Sequence, residues 1–503
     1  MSCLQNNPRF YKNFFTTSHQ LEKTLSKQGG YFAKLCYNNY MNNKQYYRFT
    51  EKQLMDWYTN PHRKPIILLG ARQVGKTTLV QKWAKAHIKQ PTQFFYFNLE
   101  KLETFQQFSK ASTVKEILQL IEIQHKTRIT PNSLIFFDEV QHNPHLIKLL
   151  RFFKEDYPEI AVIVSGSWLN IYLTQLSKQK DFSFPVGRVE FMTLFPFSFL
   201  EYLYNKNQIA YQQLIDEHFA ISPALHDYYL QEFTNYMLLG GMPDVLKSCA
   251  LQPCAEAEKI HTSILNTIMH DIGKYLNTNK EITIDVFNML YQYPARALSY
   301  SKILPNTNQY TIKKILNSLH NAFLITPIKR TYSTQLPLTP APKNATKYLS
   351  LDTGLSLSFN QIFAQLLKLL HTPETFFDLL ESTHKGFLME QITGQLLLPT
   401  FYPSYLPYIN TVHYWQNKDG KAEIDFVIPY NQYLLGLEVK SGKVGKLRSL
   451  FEFLNKVNNA VGVRVYAGTP RIEKTQLTNK TIISIPFYLI ELLPQIIDSL
   501  DLE

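Results

Sequence analysis

Residues 70–77 have the types and spacing of a loop that binds phosphate. Their sequence, GARQVGKT, fits G-x-x-x-x-G-K-[ST], in which the glycines allow a tight turn that points backbone N–H groups at a phosphate. In such a loop Lys76 reaches the β- and γ-phosphates, and the hydroxyl of Thr77 binds Mg²⁺. We therefore predict ATP and Mg²⁺ as cofactors. The predicted nucleotide-binding residues are Gly70, Ala71, Arg72, Gln73, Val74, Gly75, Lys76, Thr77, Thr78 and Ser165.

An acidic pair further along the chain supplies the other groups that nucleotide hydrolysis requires. Asp138 and Glu139 follow the apolar run 134–137, which is typical of a buried strand. At the end of such a strand, Asp138 can complete the Mg²⁺ shell together with Thr77. Glu139 can then act as the catalytic base that polarises the attacking water, while Lys76 stabilises the phosphates. This combination predicts a nucleoside triphosphate hydrolase and not only a nucleotide-binding protein.

Two further residues are candidates for acting on the γ-phosphate. Ser165 ends the next apolar run, where its hydroxyl can sense the γ-phosphate or position the water; the alternative is an ordinary glycine turn. Arg188 lies between apolar residues, and a cation there can offset the charge that develops on the γ-phosphate of its own chain or of a neighbouring one. The alternative for Arg188 is a structural ion pair.

A second group of charged residues lies near the C-terminus. Because side chains alternate along a strand, Asp425 in EIDFVI and Glu438 and Lys440 in LEVK are expected on one wall of a sheet. Glu390, on a predicted helix, completes the cluster. Three carboxylates with a lysine can bind Mg²⁺ and activate a water for phosphodiester hydrolysis. The alternative is a non-cleaving fold in which the same charges pair with Lys440 or Lys443.

The phosphate loop and the acidic pair need a scaffold, and the hydrophobic pattern indicates one. Short apolar runs at 65–70, 94–100, 133–139 and 160–167 alternate with segments of helical length. Buried strands that alternate with helices are typical of a parallel sheet covered on both faces. We therefore predict an α/β fold with a P-loop parallel sheet in a domain at residues 48–205.

The rest of the chain is predicted to form three further regions. Residues 1–47 are rich in Asn, Tyr and Lys, and we expect a poorly ordered extension. Residues 206–334 are mostly helical, and the order helix, turn, helix, strand at 299–330 is that of a winged helix-turn-helix. After a proline-rich break, residues 335–503 contain a helix at 386–398 and alternating strands, which predict a C-terminal α/β domain.

Composition excludes several classes of protein. Charged residues make up 18% and aromatic residues 14% of the 503 residues, which excludes an intrinsically disordered chain. The pattern shows no membrane-spanning stretch, no apolar segment of a secretory signal, and too few cysteines for a disulfide framework. We therefore expect a cytoplasmic protein with reduced thiols. The net charge of +12 permits a nucleic-acid partner without establishing one.

From about residue 48 onward, the chain resembles a large prokaryotic family. The members are AAA-type P-loop ATPases with a C-terminal domain of unknown function that is similar in fold to restriction endonucleases. The resemblance rests on segments in the family's order: RKPIILLGARQVGKTTLV (63–80), FYFNLE (95–100), IFFDEVQ (135–141), LLGGMPDVL (238–246), DIGKY (271–275), KYLSLDTGL (347–355), GFLMEQ (386–391), YWQNKDGKAEIDFVI (414–428) and LEVKSG (437–442). It implies the strand order 5-1-4-3-2, a helical lid and a winged helix. The family's nuclease-like motif falls on Glu390, Asp425, Glu438 and Lys440, and its GR arginine falls on Arg188.

Three functions follow from these patterns, and we favour the first. It is an ATP-hydrolysing switch that acts on a macromolecular partner, either DNA or a protein. The second is an ATP-regulated, Mg²⁺-dependent DNA nuclease built on the C-terminal carboxylates. The third is a binding module without catalysis, in which ATP holds a conformation and the winged helix docks on DNA through Tyr310, Lys313 and Lys314. A homo-oligomer is compatible with all three.

Overall fold

A computed structural model of the chain describes residues 46–176, 185, 187–276, 278–341, 346–370, 386–407, 409–442, 447–475 and 479–500. Every element below belongs to one compact unit, residues 47–503. The predicted N-terminal extension lies outside the described residues, apart from its last two. Among the helices of the described ranges, none combines the length and the apolar surface of a membrane-spanning segment.

The ATP-binding region predicted from the sequence contains a parallel five-stranded sheet in the order β2-β3-β4-β1-β5. This arrangement confirms the predicted strand order 5-1-4-3-2. The two central strands β1 and β4, and β3 beside them, are buried along their whole length because their residues are apolar on both faces. The strands are β1 (Ile66–Leu69), β2 (Phe94–Asn98), β3 (Leu134–Asp138), β4 (Ala161–Ser165) and β5 (Glu190–Thr193).

Helices cover this sheet and bury much of the aromatic content of the chain. Phe97 on β2 and Phe137 on β3 stack with a centroid separation of 5.6 Å, and Phe108 from a covering helix meets the ring of Phe97 edge-on at 4.9 Å. These aromatic residues are therefore core residues. The helices of this part are α1 (Thr50–Thr59), α2 (Lys76–His87), α3 (Leu102–Ser109), α4 (Val114–His125), α5 (Pro144–Asp156) and α6 (Leu169–Leu176).

The region after β5 is helical, as predicted. Its first helix begins with a capping box, in which Ser198 and Glu201 exchange hydrogen bonds with each other's backbone N–H groups. The helices are α7 (Phe199–Lys206), α8 (Gln208–Asp216), α9 (Pro223–Leu239), α10 (Pro243–Ser248), α11 (Glu256–Tyr275), α12 (Lys280–Gln292), α13 (Tyr300–Ile303) and α14 (Gln309–Asn321).

A mixed eight-stranded sheet forms the C-terminal part, in the order β12-β13-β11-β10-β9-β8-β6-β7. The strands are β6 (Ile325–Thr331), β7 (Lys347–Ser350), β8 (Val412–Gln416), β9 (Glu423–Tyr430), β10 (Tyr433–Val439), β11 (Ala460–Tyr466), β12 (Arg471–Lys474) and β13 (Thr481–Pro486). The accompanying helices are α15 (Thr353–Phe359), α16 (Phe363–Lys368), α17 (Gly386–Phe401), α18 (Arg448–Lys456) and α19 (Leu493–Asp498). The helix predicted at 386–398 is thus present and extends three residues further.

The predicted helix, turn, helix, strand order is present in α13, α14 and β6. Strand β6 pairs with β7 in an antiparallel manner and with β8 in a parallel manner. It is therefore part of the large C-terminal sheet, and the boundary predicted between residues 334 and 335 runs through one sheet. The winged-helix assignment itself stays a prediction.

The structure differs from the expectation of reduced thiols at one place. Cys249 and Cys254 form a disulfide in the turn that follows α10, with their Cα atoms 5.9 Å apart. The sequence shows that the two residues are close along the chain. It does not show the turn that directs the two side chains towards each other.

A buried carboxylate connects the helical region to the C-terminal sheet. Asp352 accepts hydrogen bonds from the backbone N–H of Gly241 (2.6 Å), from the backbone N–H of Leu355 (3.2 Å) and from Nε2 of Gln395 (3.1 Å). Gly240 has a φ of +69°, and a Cβ atom there would overlap the Asp352 carboxylate. Gly240 is required because the chain approaches Asp352 so closely, whereas a Cβ atom on Gly241 would overlap the backbone of Phe197.

We expect Asp352 to make folding stability depend on pH. Burial raises the pKa of Asp352 to about 6, while hydrogen bonds from Gly241 and Leu355 oppose the shift. The folded chain therefore holds this proton more tightly than the unfolded chain, so the free energy of unfolding falls as pH rises from about 4 to about 6, by roughly 3 kcal/mol. Thermal melts between pH 4 and 7 should show a flatter profile for Asp352→Asn than for the unchanged chain.

The same comparison needs a matched control. Asp56 is exposed on α1, and Asp56→Asn makes the same chemical change without removing a buried carboxylate. Its melting profile should follow that of the unchanged chain. Equal pH profiles for Asp352→Asn and Asp56→Asn would contradict the prediction, whatever the absolute stability of either variant.

Candidate functional site

The phosphate loop connects β1 to α2, and its backbone depends on two glycines. Gly70 has a φ of +139° and Gly75 a φ of +96°, values that side chains larger than hydrogen disfavour. A Cβ atom on Gly70 would also overlap the backbone carbonyl of Leu194. Gly75 directly precedes the first residue of α2. The loop therefore ends at a helix N-terminus, where unpaired N–H groups and the helix dipole favour a phosphate.

Lys76 is held inside this loop. Its side chain is buried, and Nζ donates to the carbonyl oxygens of Gly70 (3.0 Å) and Ala71 (2.9 Å). Burial lowers the pKa of Lys76 to about 8, although the carboxylates of Glu139 and Asp138 oppose the shift. The ammonium group is therefore placed at the concave side of the loop, and none of the carboxylates in the described ranges forms an ion pair with it.

Thr77 and Asp138, the two predicted magnesium ligands, lie in direct contact. The hydroxyl of Thr77 donates to Oδ2 of Asp138 over 2.6 Å, and the backbone N–H of Glu139 lies 3.1 Å from Oδ1 of the same carboxylate. Ser165, at the end of β4, also donates to Oδ1. Tyr96 lies 3.5 Å from Oδ2, and burial together with Asp138 raises the pKa of Tyr96 to about 12. Ser165 thus orients Asp138, a contact that the sequence does not reveal.

Glu139 is positioned by two residues that the sequence did not single out for this role. Its backbone has a φ of +53°, an uncommon conformation for a non-glycine residue. Ser167 donates to the carboxylate through both its hydroxyl (3.1 Å) and its backbone N–H (3.2 Å), and Gln141 donates through Nε2 (2.5 Å). The only sequence signal for these contacts was that Ser167 and Gln141 flank the predicted site residues.

Two arginines connect the phosphate loop to other elements. Nη1 of Arg72 lies 2.6 Å from Oδ2 of Asp271 on α11, and this carboxylate is buried. Arg48 directs its guanidinium to the carbonyl oxygens of Val74 (3.4 Å) and Phe195 (2.7 Å). An open cavity of about 680 Å³ adjoins the first pair and is lined by polar residues of α11. A phosphate loop with such contacts cannot change shape without affecting its neighbours.

Arg188 lies away from this site, which corrects its predicted role within one chain. It precedes β5, whose first residue, Glu190, pairs with Ile66 at the start of β1, so it lies at the sheet edge opposite the phosphate loop. Its Nε donates to Glu155 at the end of α5 over 2.9 Å, and this hydrogen bond lowers the pKa of Glu155. The structural ion pair is therefore the arrangement found. A role for Arg188 towards a neighbouring copy, and the homo-oligomer it requires, stay predictions.

The four predicted residues of the C-terminal cluster lie close together. Val439 donates its backbone N–H to Oδ2 of Asp425 over 2.8 Å, and Lys440 contacts Oε1 of Glu438 at 2.5 Å. Glu390 is joined to Asp425 through a residue that the sequence reasoning missed, the buried Lys347 at the start of β7. Lys347 lies about 40 residues before the nearest predicted member, so spacing gave no sign of its contact.

Comparison with protein families identifies the class of the first domain. A family model described as an AAA domain matches residues 62–203. Two models of domains of unknown function, DUF8612 and DUF4143, match residues 230–366 and 385–488. Residues 62–203 are thus similar to an AAA domain, which supports the coarser part of the resemblance. The likeness of the C-terminal domain to restriction endonucleases stays a prediction.

Curated relatives match part of the chain. An uncharacterized protein of Methanocaldococcus jannaschii is 24% identical over 286 residues, which are 54% of this chain and 55% of that protein. An uncharacterized protein of Haemophilus influenzae is 25% identical over 280 residues, which are 52% of this chain and 62% of that protein. The match therefore spans just over half the length of these relatives.

Two solved structures illustrate the range of structural likeness. The Walker-type ATPase PABY2304 of Pyrococcus abyssi matches with a TM-score of 0.39 and 13% identity, over 63% of this chain and 96% of that chain. The Hsp104–ADP complex of S. cerevisiae matches with a TM-score of 0.25 and 12% identity, over 70% of this chain and 45% of that chain. Both scores are too low to support an argument about function.

We expect the affinity for ATP to fall at alkaline pH because of Lys76. Only the protonated amine attracts the phosphates, and the pKa of Lys76 is lowered to about 8. In EDTA, affinity should be near its maximum at about pH 7.5 and should fall by up to tenfold per pH unit above about pH 8. Lys76→Arg keeps its charge at these pH values and should give a flat profile. Titration with a fluorescent ATP analogue at each pH would measure the affinity of the unchanged chain and of Lys76→Arg. An affinity of the unchanged chain that stays constant up to pH 9.5 would contradict the prediction.

Proposed function

We propose that the protein hydrolyses ATP and acts as a nucleotide-driven switch on a macromolecular partner. The contact that carries this proposal is the hydrogen bond of 2.6 Å between Thr77 and Asp138, with Glu139 fixed beside it. Glu139 is the group that favours hydrolysis over ATP binding alone, because its carboxylate can accept a hydrogen bond from an attacking water. The AAA domain matched at residues 62–203 supports the same function.

The residues of the site have distinct roles in this proposal. The backbone N–H groups of the loop and the ammonium group of Lys76 bind the phosphates, while Thr77 and Asp138 hold Mg²⁺, which neutralises charge on the phosphate oxygens. Glu139 accepts a hydrogen bond from the attacking water and polarises it. Ser167 donates two hydrogen bonds to the Glu139 carboxylate and so restricts the orientation in which it can meet that water.

The switch in this proposal starts from the contacts of the loop. Phosphate oxygens compete with the carbonyl groups of Gly70 and Ala71 for the ammonium group of Lys76, so nucleotide binding changes the loop's own hydrogen bonds. The loop is tied to α11 through the ion pair of Arg72 with Asp271. A change in the loop is therefore passed to the helical region, which is where we place the response to the nucleotide.

Two substitutions separate ATP binding from ATP hydrolysis. Lys76→Ala should lose ATP binding because the loop loses its cation. Glu139→Gln should keep ATP binding and lower turnover by at least about 100-fold, because the amide cannot polarise the water as a carboxylate does. Steady-state phosphate release and binding of a fluorescent ATP analogue measure the two effects.

The control for this experiment lies on the same helix as Lys76. Lys85 is exposed near the end of α2, so Lys85→Ala removes one positive charge without touching the site. Its turnover should equal that of the unchanged chain. Turnover that persists at the same rate in both Lys76→Ala and Glu139→Gln would sink the proposal.

A second candidate function, DNA binding, rests on the outer surface of α14. Tyr310 is 77% exposed, and Lys313 and Lys314 are exposed on the next turn of the same helix. Exposed lysines beside an aromatic ring can contact phosphates and bases. The inner face of α14, which includes Ile312 and Ile315, is buried and holds this outer face in place.

Charge reversal on α14 tests the DNA-binding candidate. Lys313→Glu/Lys314→Glu should weaken binding to labelled duplex DNA by about tenfold or more and should reduce the slope of log affinity against log salt by about two. Lys85→Glu/Lys89→Glu makes the same charge change on exposed residues of another surface and should have a smaller effect. Fluorescence anisotropy at several salt concentrations measures these effects. Equal losses in the two double variants, or no DNA binding, would exclude α14 as the DNA surface and favour a protein partner.

A further inference from the structure

The resemblance to the endonuclease-like domain implies a divalent metal ion among Glu390, Asp425 and Glu438. The structure allows a test of whether these side chains fit such an ion. The feature that decides the test is Lys347, the first residue of β7, whose side chain is only 3% exposed. Its ammonium group lies between the helix that carries Glu390 and the strand that carries Asp425.

Every N–H bond of Lys347 has a carboxylate oxygen within reach. Nζ lies 2.8 Å from Oε2 of Glu390, 2.9 Å from Oε1 of Glu423 and 3.3 Å from Oδ1 of Asp425. An ammonium group has three donors, and here three carboxylates surround it. Burial lowers the pKa of Lys347, but the three carboxylates outweigh this effect and hold the pKa well above its ordinary value. The group is thus a permanent cation.

The remaining oxygens do not form a cage for a metal ion. Oδ2 of Asp425 accepts the backbone N–H of Val439, and Oε1 of Glu438 contacts Lys440. Oε2 of Glu438 is buried without a hydrogen-bond partner, and with Oε1 of Glu390 it is one of two oxygens of the three carboxylates that the described residues leave without a contact. In the described part of the chain, no group of three or more His, Cys, Asp or Glu side chains is arranged to hold a metal ion.

Two ammonium groups already lie among the carboxylates of the cluster. Lys347 contacts Glu390, Glu423 and Asp425, and Lys440 contacts Glu438. An added divalent cation would have to displace Lys347 or overcome its repulsion.

We infer that Lys347 is the resident cation of this cluster and takes the place of the divalent metal ion that the resemblance implies. The C-terminal carboxylates then form a salt-bridge network that joins β7, β9 and α17, and they do not form the metal site of a nuclease. This inference is independent of ATP hydrolysis, since the network contacts none of the nucleotide-site residues named above.

Manganese binding tests the inference, because Mn²⁺ prefers the same oxygen ligands as Mg²⁺. The full chain with Asp138→Asn, which removes the carboxylate of the nucleotide site, is titrated with Mn²⁺ without nucleotide, and free Mn²⁺ is measured by electron paramagnetic resonance. With Lys347 present, no binding that depends on Asp425 should be found. Adding Lys347→Met replaces the charged side chain by an uncharged one of similar length. This variant should gain one site that binds Mn²⁺ at least tenfold more tightly than the chain with Lys347 intact. Asp425→Asn should remove that site again.

Three results would overturn the inference. The first is Mn²⁺ binding by the chain with Lys347 intact that Asp425→Asn weakens at least tenfold; this comparison does not depend on whether Lys347→Met folds. The second is a Lys347→Met chain with an unchanged circular dichroism spectrum and no gain in Mn²⁺ binding. The third is cleavage of DNA by the unchanged chain with Mg²⁺ or Mn²⁺ that is lost in Asp425→Asn.

Discussion

The hydrogen bond between Thr77 and Asp138 depends on one constraint, the parallel direction of neighbouring strands. Because β1, β4 and β3 lie side by side and run the same way, the loop after β1 and the carboxylates after β3 emerge at one edge of the sheet. A strand of opposite direction would place Asp138 at the other edge, where Arg188 lies. The contacts of Ser165 with Asp138 and of Ser167 with Glu139 follow from the same arrangement, because β4 ends beside β3.

Residues 347–355 connect the helical region to the C-terminal sheet through two buried charges. Lys347 joins the carboxylates of the C-terminal sheet, and Asp352 binds the backbone of Gly241 in the helical region. Gly241 in turn accepts the backbone N–H of Phe197, two residues after the Phe195 carbonyl that Arg48 contacts beside the phosphate loop. These polar contacts, together with the short chain segments between them, lead from the loop to the cluster. Both charges are buried, so breaking either contact would leave an uncompensated polar group.

Local sequence patterns predicted the strands and helices of this protein well. They predicted contacts between residues distant in the chain poorly. The glycines and Lys76 of the loop can be recognised from the sequence because the residues that bind phosphate lie within eight consecutive positions. The convergence of Glu390, Asp425 and Glu438 could also be predicted, since strand alternation and the family motif both pointed to it. The salt-bridge network that these residues form with Lys347 could not be predicted. Lys347 is separated from Glu390 by 43 residues, and its role depends on the distance between atoms. The residues around Arg188 are compatible with a role at the γ-phosphate. Arg188 lies at the sheet edge opposite the phosphate loop, however, and its partner there is Glu155.

The sequence by itself determined the phosphate loop, the acidic pair, the strand and helix pattern, and the AAA class of the first domain, because each depends on residues close together in the chain. The tertiary structure decided which groups face one another. It placed Ser167 and Gln141 on Glu139, paired Arg188 with Glu155, and directed Lys347 into the C-terminal carboxylates. The physical reason is that electrostatic interactions and hydrogen bonds act over a few ångströms in space, whatever the separation along the chain.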